Sequence, residues 1–218
     1  MRKVKTLFAG VCAMALVGVA SAHAAGYGTG GVSVGGTANQ STYVGSGTAS
    51  SASGSGAHAK VRVGSVTKSD IKGNLNQDTY VQNGVQAYAN GNNARAVANV
   101  GRMDGAVVKG NADQYTHVYG NVQSWADGNN ARARTDIGDV ENVEVGGNLY
   151  QHTDVYGSVT TWALGNDSNA VSEIGKIKNV KTGSDLTQTT TVSGDVFTYA
   201  ASGGSACNAT GLMGQSDC

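Results

Sequence analysis

Three residues have the types and spacing to hold a metal ion: His117, His152 and Asp154. His117 and Asp154 stand 37 residues apart, and His152 lies two residues before Asp154. Imidazole and carboxylate ligands on one outward face would suit a divalent cation. The plainer reading is a set of solvated side chains on a polar face, and on that reading no metal or cofactor is assigned. A second group, Asp136, Asp139, Glu141 and Glu144, offers carboxylates. Paired carboxylates can serve as acid and base in polysaccharide cleavage. That chemistry needs a long groove, so a solvated, mutually repelling edge is the expected role. Gly165-Asn166-Asp167-Ser168-Asn169 resembles a calcium loop only faintly, because the carboxylate spacing and closing glutamate are missing. The sequence holds no HExxH, Walker A, GxSxG or CxxC motif. The chain is therefore read as a protein that is not an enzyme.

What positions these residues is a repeat. An L-x-Q-x-T-x-V pattern returns every 37 residues without insertion. It is carried by Leu75, Gln77, Thr79 and Val81, then by Ala112, Gln114, Thr116 and Val118. Leu149, Gln151, Thr153 and Val155 follow, and then Leu186, Gln188, Thr190 and Val192. Ala38, Gln40, Thr42 and Val44 form a worn first copy. The units run 36–72, 73–109, 110–146, 147–183 and 184–218, the last being partial and ending in a tail. A fixed period of this size marks a solenoid or array. Within each unit, apolar and polar residues alternate between Gly- and Asn-rich breaks. This predicts about four short strands joined by tight turns, and no helix.

The glutamine decides how the chain winds. With one coil per repeat, Gln40, Gln77, Gln114, Gln151 and Gln188 stand one strand spacing apart, about 4.8 Å. Their amides can then donate and accept in a ladder. With two coils per repeat, each glutamine would face an alanine such as Ala96 or Ala133, and its buried amide would cost about 1–3 kcal/mol unpaired. The expected fold is all-β, a parallel β-solenoid of about five 37-residue coils. Thr79, Thr116, Thr153 and Thr190 form a second inward ladder. Asn92, Asn129 and Asn166 stack at a turn beside Gly91, Gly128 and Gly165. Tyr88, Trp125, Trp162 and Tyr199 form an outward aromatic stripe, which either stiffens the rod or contacts another surface.

Composition agrees with a thin core. Of 218 residues 33 are Gly, none is Pro, and only 14 % are charged. Residues 1–24 read as a signal peptide: Arg2, Lys3 and Lys5 precede an apolar Leu7–Ala20 run and an Ala22-His23-Ala24 cleavage site. Residues 25–35 read as a flexible leader. Cleavage would leave 12 basic against 15 acidic residues, a formal charge of −3, which gives no electrostatic basis for binding nucleic acid. Cys207 and Cys218 remain, and in an oxidising compartment they can pair.

The run Gly120-Asn-Val-Gln-Ser-Trp-Ala-Asp-Gly-Asn-Asn-Ala and the run Ala89-Asn-Gly-Asn-Asn-Ala-Arg-Ala resemble repeats of bacterial functional amyloids. The GNV-xxx-A-x-GNN pattern is similar to Fap-type fibre subunits, and the Gln, Gly-Asn and Ala ladders are similar to curlin. The curlin unit is shorter, and the Fap-type CxxC is replaced here by Cys207 and Cys218 with ten residues between them. The resemblance implies export to the cell surface and assembly with copies of itself into extracellular biofilm fibres. It also implies an outer-membrane secretion channel and a nucleator as partners. Independently, the absence of Pro and of a capping pattern leaves strand edges open to pairing. The expected function is a secreted fibre subunit. The alternative is a monomeric surface adhesin or ligand-binding solenoid that uses the Tyr/Trp stripe.

Overall fold

The computed structural model describes residues 32–201 and 203–214. The expected signal peptide, most of the leader and Cys218 lie outside these residues. Among the described residues there are 24 strands and no helix. All pairings between strands are parallel and join residues 37 positions apart, shortened by one in the last strand of the chain. The chain is thus a β-solenoid with one coil per repeat and about five coils.

Each full coil contains five strands rather than the expected four. In the second coil these are Leu75–Val81, Val85–Asn90, Arg95–Val100, Met103–Asp104 and Val107–Val108. Stacked coils turn them into five faces, called faces 1 to 5 in that order; face 4 has four strands and the others five. The extra division falls at Gly105, whose φ of +66° breaks the short final segment in two. Asn142 and Asn179 take the same left-handed conformation in the equivalent slot, one that asparagine tolerates better than most residues. The leader is also shorter than expected, since Ser33–Val34 already pairs with Asp70–Ile71 on face 5.

The interior consists of two apolar columns with a polar column between them. Val81, Val85, Ala87, Ala89, Ala94, Ala96, Ala98 and Val100 belong to one. Ile71, Leu75, Met103, Ala106 and Val108 belong to the other. Alternation on the first strand sends Leu75 into the second column and Val81 into the first, with Gln77 and Thr79 buried between. Alanine dominates where faces 2 and 3 oppose each other, so these two sheets lie close and little apolar area is available per coil. The backbone ladders and the polar column must therefore specify much of the fold.

Candidate functional site

The inward ladders stand in the expected register. Gln40 pairs in sequence with Gln77, Gln114, Gln151 and Gln188, and Thr42 with Thr79, Thr116, Thr153 and Thr190. The amides do not form the continuous ladder expected of them. Gln77, Gln114, Gln151 and Gln188 each donate from Nε2 to the carbonyl of Gly64, Gly101, Gly138 and Gly175, respectively. Only one contact joins neighbouring amides, Gln114 Nε2 to Gln77 Oε1 at 3.4 Å, which is long for a hydrogen bond. The glycine carbonyl wins because the corner between faces 3 and 4 presents it across the interior at the amide's own level. These glycines were missed as partners, although one stands 13 residues before each of the four glutamines.

The same corners explain the threonines. Gly64, Gly101, Gly138 and Gly175 have φ between +57° and +64°. A Cβ added to any of them would lie 2.1 Å from the Oγ1 of Thr79, Thr116, Thr153 or Thr190. Glycine, threonine and glutamine thus form one repeated cross-core unit.

A buried chain of hydroxyls, also missed, runs between faces 2 and 3. Thr198 Oγ1 donates to Ser172 Oγ at 2.8 Å, and Ser172 donates to Thr161 Oγ1 at 2.7 Å. Thr161 and Thr135 are 2.7 Å apart, Thr135 donates to Ser124 Oγ at 2.9 Å, and Ser124 donates to Arg134 O at 2.8 Å. Thr135 has only one proton and spends it on Ser124, so Thr161 donates to Thr135. Every bond therefore points the same way, from the fifth coil towards the third.

The turns that carry Asn92, Asn129 and Asn166 stack coil on coil as expected, beside Gly91, Gly128 and Gly165 at positive φ, but the asparagine side chains scarcely bond one another. Asn92, Asn129 and Asn166 are exposed, and they share only a 3.4 Å contact from Asn166 N to Asn129 Oδ1. The non-glycine residues of that turn at positive φ are Asn93, Asn130 and Asp167. The well-formed ladder is at the entry to face 1. Asn111 N donates to Asn74 Oδ1 and Asn148 N to Asn111 Oδ1, both at 2.9 Å, and Asp185 N donates to Asn148 Oδ1 at 3.1 Å. A side-chain oxygen there extends the backbone ladder by one rung, and its signal was asparagine recurring at the repeat period.

The aromatic stripe faces outward as expected. Tyr88, Trp125 and Tyr199 are exposed, and Trp162 is half-buried. Ring centroids are 6.2 Å apart for Tyr88–Trp125, 4.7 Å for Trp125–Trp162 and 6.4 Å for Trp162–Tyr199. A second, unexpected column joins Tyr43, Tyr80, Tyr119 and Tyr156 at 5.3, 5.1 and 4.7 Å.

Asp136 and Asp139 are not the solvated edge expected of them. They are 1 % and 2 % exposed, at the outer side of the Gly138 corner with Glu173. Arg134 contacts Asp136 at 2.6 Å and Glu173 at 2.5 Å, and Lys176 contacts Glu173. Arg102 pairs with Glu141, which is half-buried, while Glu144 is exposed. Asp139 accepts the Lys176 backbone N–H at 3.0 Å. Burial, then the neighbouring Asp136 charge, pushes the Asp139 carboxyl well above the usual range. Asp136 is raised by burial despite the opposing Arg134 charge. The arrangement is a packed ion cluster covered by its own counterions, not a groove for a polymer.

The strands of the first and fifth coils form the edges of the stack. Their inward ladders, buried in the middle coils, are half-buried here: Gln40, Thr42, Thr48 and Ser50 at one end, and Gln188, Thr190, Val196 and Thr198 at the other. Cys207 lies half-buried in the last strand of face 3, and its expected partner Cys218 is not among the described residues. Comparison with protein-family models, with curated proteins and with solved structures found no match.

Proposed function

We propose that this protein is a secreted structural subunit that stacks head to tail, coil on coil, into an extracellular amyloid-like fibre for biofilm formation or surface attachment. The observation that carries this reading is the match between the two end faces. Gln188, Thr190, Val192, Thr198 and Ala200 occupy the same slots as Gln40, Thr42, Val44, Ser50 and Ala52. A second copy placed one strand spacing beyond the fifth coil would continue the Gln, Thr and Val ladders and pair the open backbone edges of faces 1 and 2. The contact joins different surfaces of two copies, so it does not close on itself and grows as a filament. The hydroxyl chain gives the subunit a direction, since each donor points from the fifth coil towards the third.

Charge reversal tests this stacking. Val196 and Thr48 share a slot and are half-buried at opposite ends. Val196→Asp alone and Thr48→Lys alone each place an unpaired charge in every junction, and neither variant should elongate. An equimolar mixture forms alternating junctions, Asp against Lys and Val against Thr, and should elongate again. Growth of either single variant at the wild-type rate would contradict the reading.

The outward-facing Tyr88–Trp125–Trp162–Tyr199 column supports a second reading, a surface adhesin or ligand-binding solenoid that acts as a monomer. It differs from the first in needing no junction between copies.

A further inference from the structure

We infer that His117, His152 and Asp154 form a site for a borderline divalent cation such as Zn²⁺, clamping the third coil to the fourth from the outer side of face 1. Register brings the three together: His117 pairs directly with Asp154, and His152 precedes Asp154 by two on the same strand and outer side. The slot of His117 and Asp154 holds Tyr43 and Tyr80 in the earlier coils and Thr191 in the last, so the repeat builds this combination once.

The geometry fits coordination. Both imidazoles converge on one carboxylate oxygen, with His117 Nδ1 at 3.3 Å and His152 Nε2 at 2.8 Å from Asp154 Oδ2. One ligand atom from each residue lies within 4.8 Å of the other two. Zn²⁺ with nitrogen and oxygen ligands at about 2.0–2.2 Å, in a tetrahedron, needs ligands about 3.3 Å apart. Small side-chain adjustments therefore make room for an ion. The side chains are 28 %, 24 % and 12 % exposed, which restricts their rotamers yet leaves access from outside. Tyr115 and Tyr150 pack beside His152, with ring centroids at 6.2 and 6.4 Å, and hold its ring in place. The other cluster of ligand-type atoms, Asp136, Asp139 and Glu173, already has Arg134 and Lys176 as its counterions.

Without the ion, His152 Nε2 and Asp154 Oδ2 are in hydrogen-bond contact at 2.8 Å; binding replaces that contact with a bond from each atom to the metal. His152 Nδ1 is enclosed without a hydrogen-bond acceptor. Such an acceptor ordinarily contributes about 10–100-fold to affinity, so binding here should be moderate rather than structural in strength.

The test is calorimetric titration of the unassembled full-length mature chain with ZnCl2 at neutral pH, alongside thermal unfolding with and without the ion. The expected result is one equivalent bound and a raised Tm, because binding to the folded state alone stabilises it. Asp154→Asn and His152→Gln should each weaken binding by at least about tenfold, with circular dichroism unchanged. His58→Ala, on face 3, should bind as the wild type does. No saturable binding by the folded wild type, or undiminished binding by folded Asp154→Asn and His152→Gln, would overturn the assignment. Neither readout depends on fibre growth.

Discussion

A Cβ built on Gly101 would stand 2.1 Å from Thr116 Oγ1, across the interior and 15 residues along the chain. The adjacent inward residue, Gln114, donates to the carbonyl of that same glycine. A turn residue, a ladder residue and a buried amide are therefore fixed by one contact, which recurs at Gly64, Gly138 and Gly175. Gly105 lies in the same coil at a similar φ but has only ordinary contacts, the nearest at 3.7 Å from Lys68. Gly105→Ala should cost about 1–2 kcal/mol for its left-handed backbone alone. Gly101→Ala adds the collision and should cost clearly more, as read by chemical denaturation of the monomer. Equal costs at the two sites would show that the cross-core contact does not constrain the fold.

Gln151→Leu keeps the side-chain volume but removes the donor to the Gly138 carbonyl. The stranded carbonyl should cost about 1–3 kcal/mol, measured on the monomer by denaturation. Asn76→Ala removes only an exposed bond to Asn39 and should change stability by less than about 0.5 kcal/mol.

The buried carboxyls give stability a pH dependence of definite sign. Asp139 and Asp136 are raised in the folded chain, so the folded state binds their protons more tightly than the unfolded one. Their protonated forms are accommodated fully below the unfolded value of about 3.9, and stability falls as pH rises from there through the folded values. Asp139→Asn keeps an oxygen for the Lys176 N–H and removes the ionisation. It should raise Tm at neutral pH and flatten the profile, with each unit of upward shift corresponding to about 1.4 kcal/mol. An unchanged or lowered neutral Tm would mean that Asp139 is held ionised by partners that stabilise it.

Much of this fold was legible because a solenoid repeats its constraints. Gln, Thr and Val in phase specified the period, the parallel register and the number of coils. What escaped is the contact that crosses a coil. Gly101 meets Thr116 only after three corners have been turned, and spacing alone does not reveal their angles. The burial of Asp136 was hidden for the same reason: alternation correctly points it outward, but the Gly138 corner and the Arg134 side chain cover that part of the surface. The hydroxyl chain alternates between faces 2 and 3, so no single slot displays it.

The aromatic column separates the two functional readings. Trp125→Ala together with Trp162→Ala alters an outer face and leaves the inward ladders intact. On the fibre reading, this double variant should assemble at a rate close to wild type. Loss of adhesion by a protein that remains monomeric and folded throughout would favour the adhesin.

The most direct test is fibre diffraction combined with mass-per-length measurement on the purified mature chain after incubation at neutral pH. Stacked coils predict a meridional reflection near 4.8 Å and an axial advance of about 24 Å per subunit, five strand spacings. A chain that stays monomeric under these conditions, or fibres whose mass per length departs from one subunit per five spacings, would contradict head-to-tail stacking.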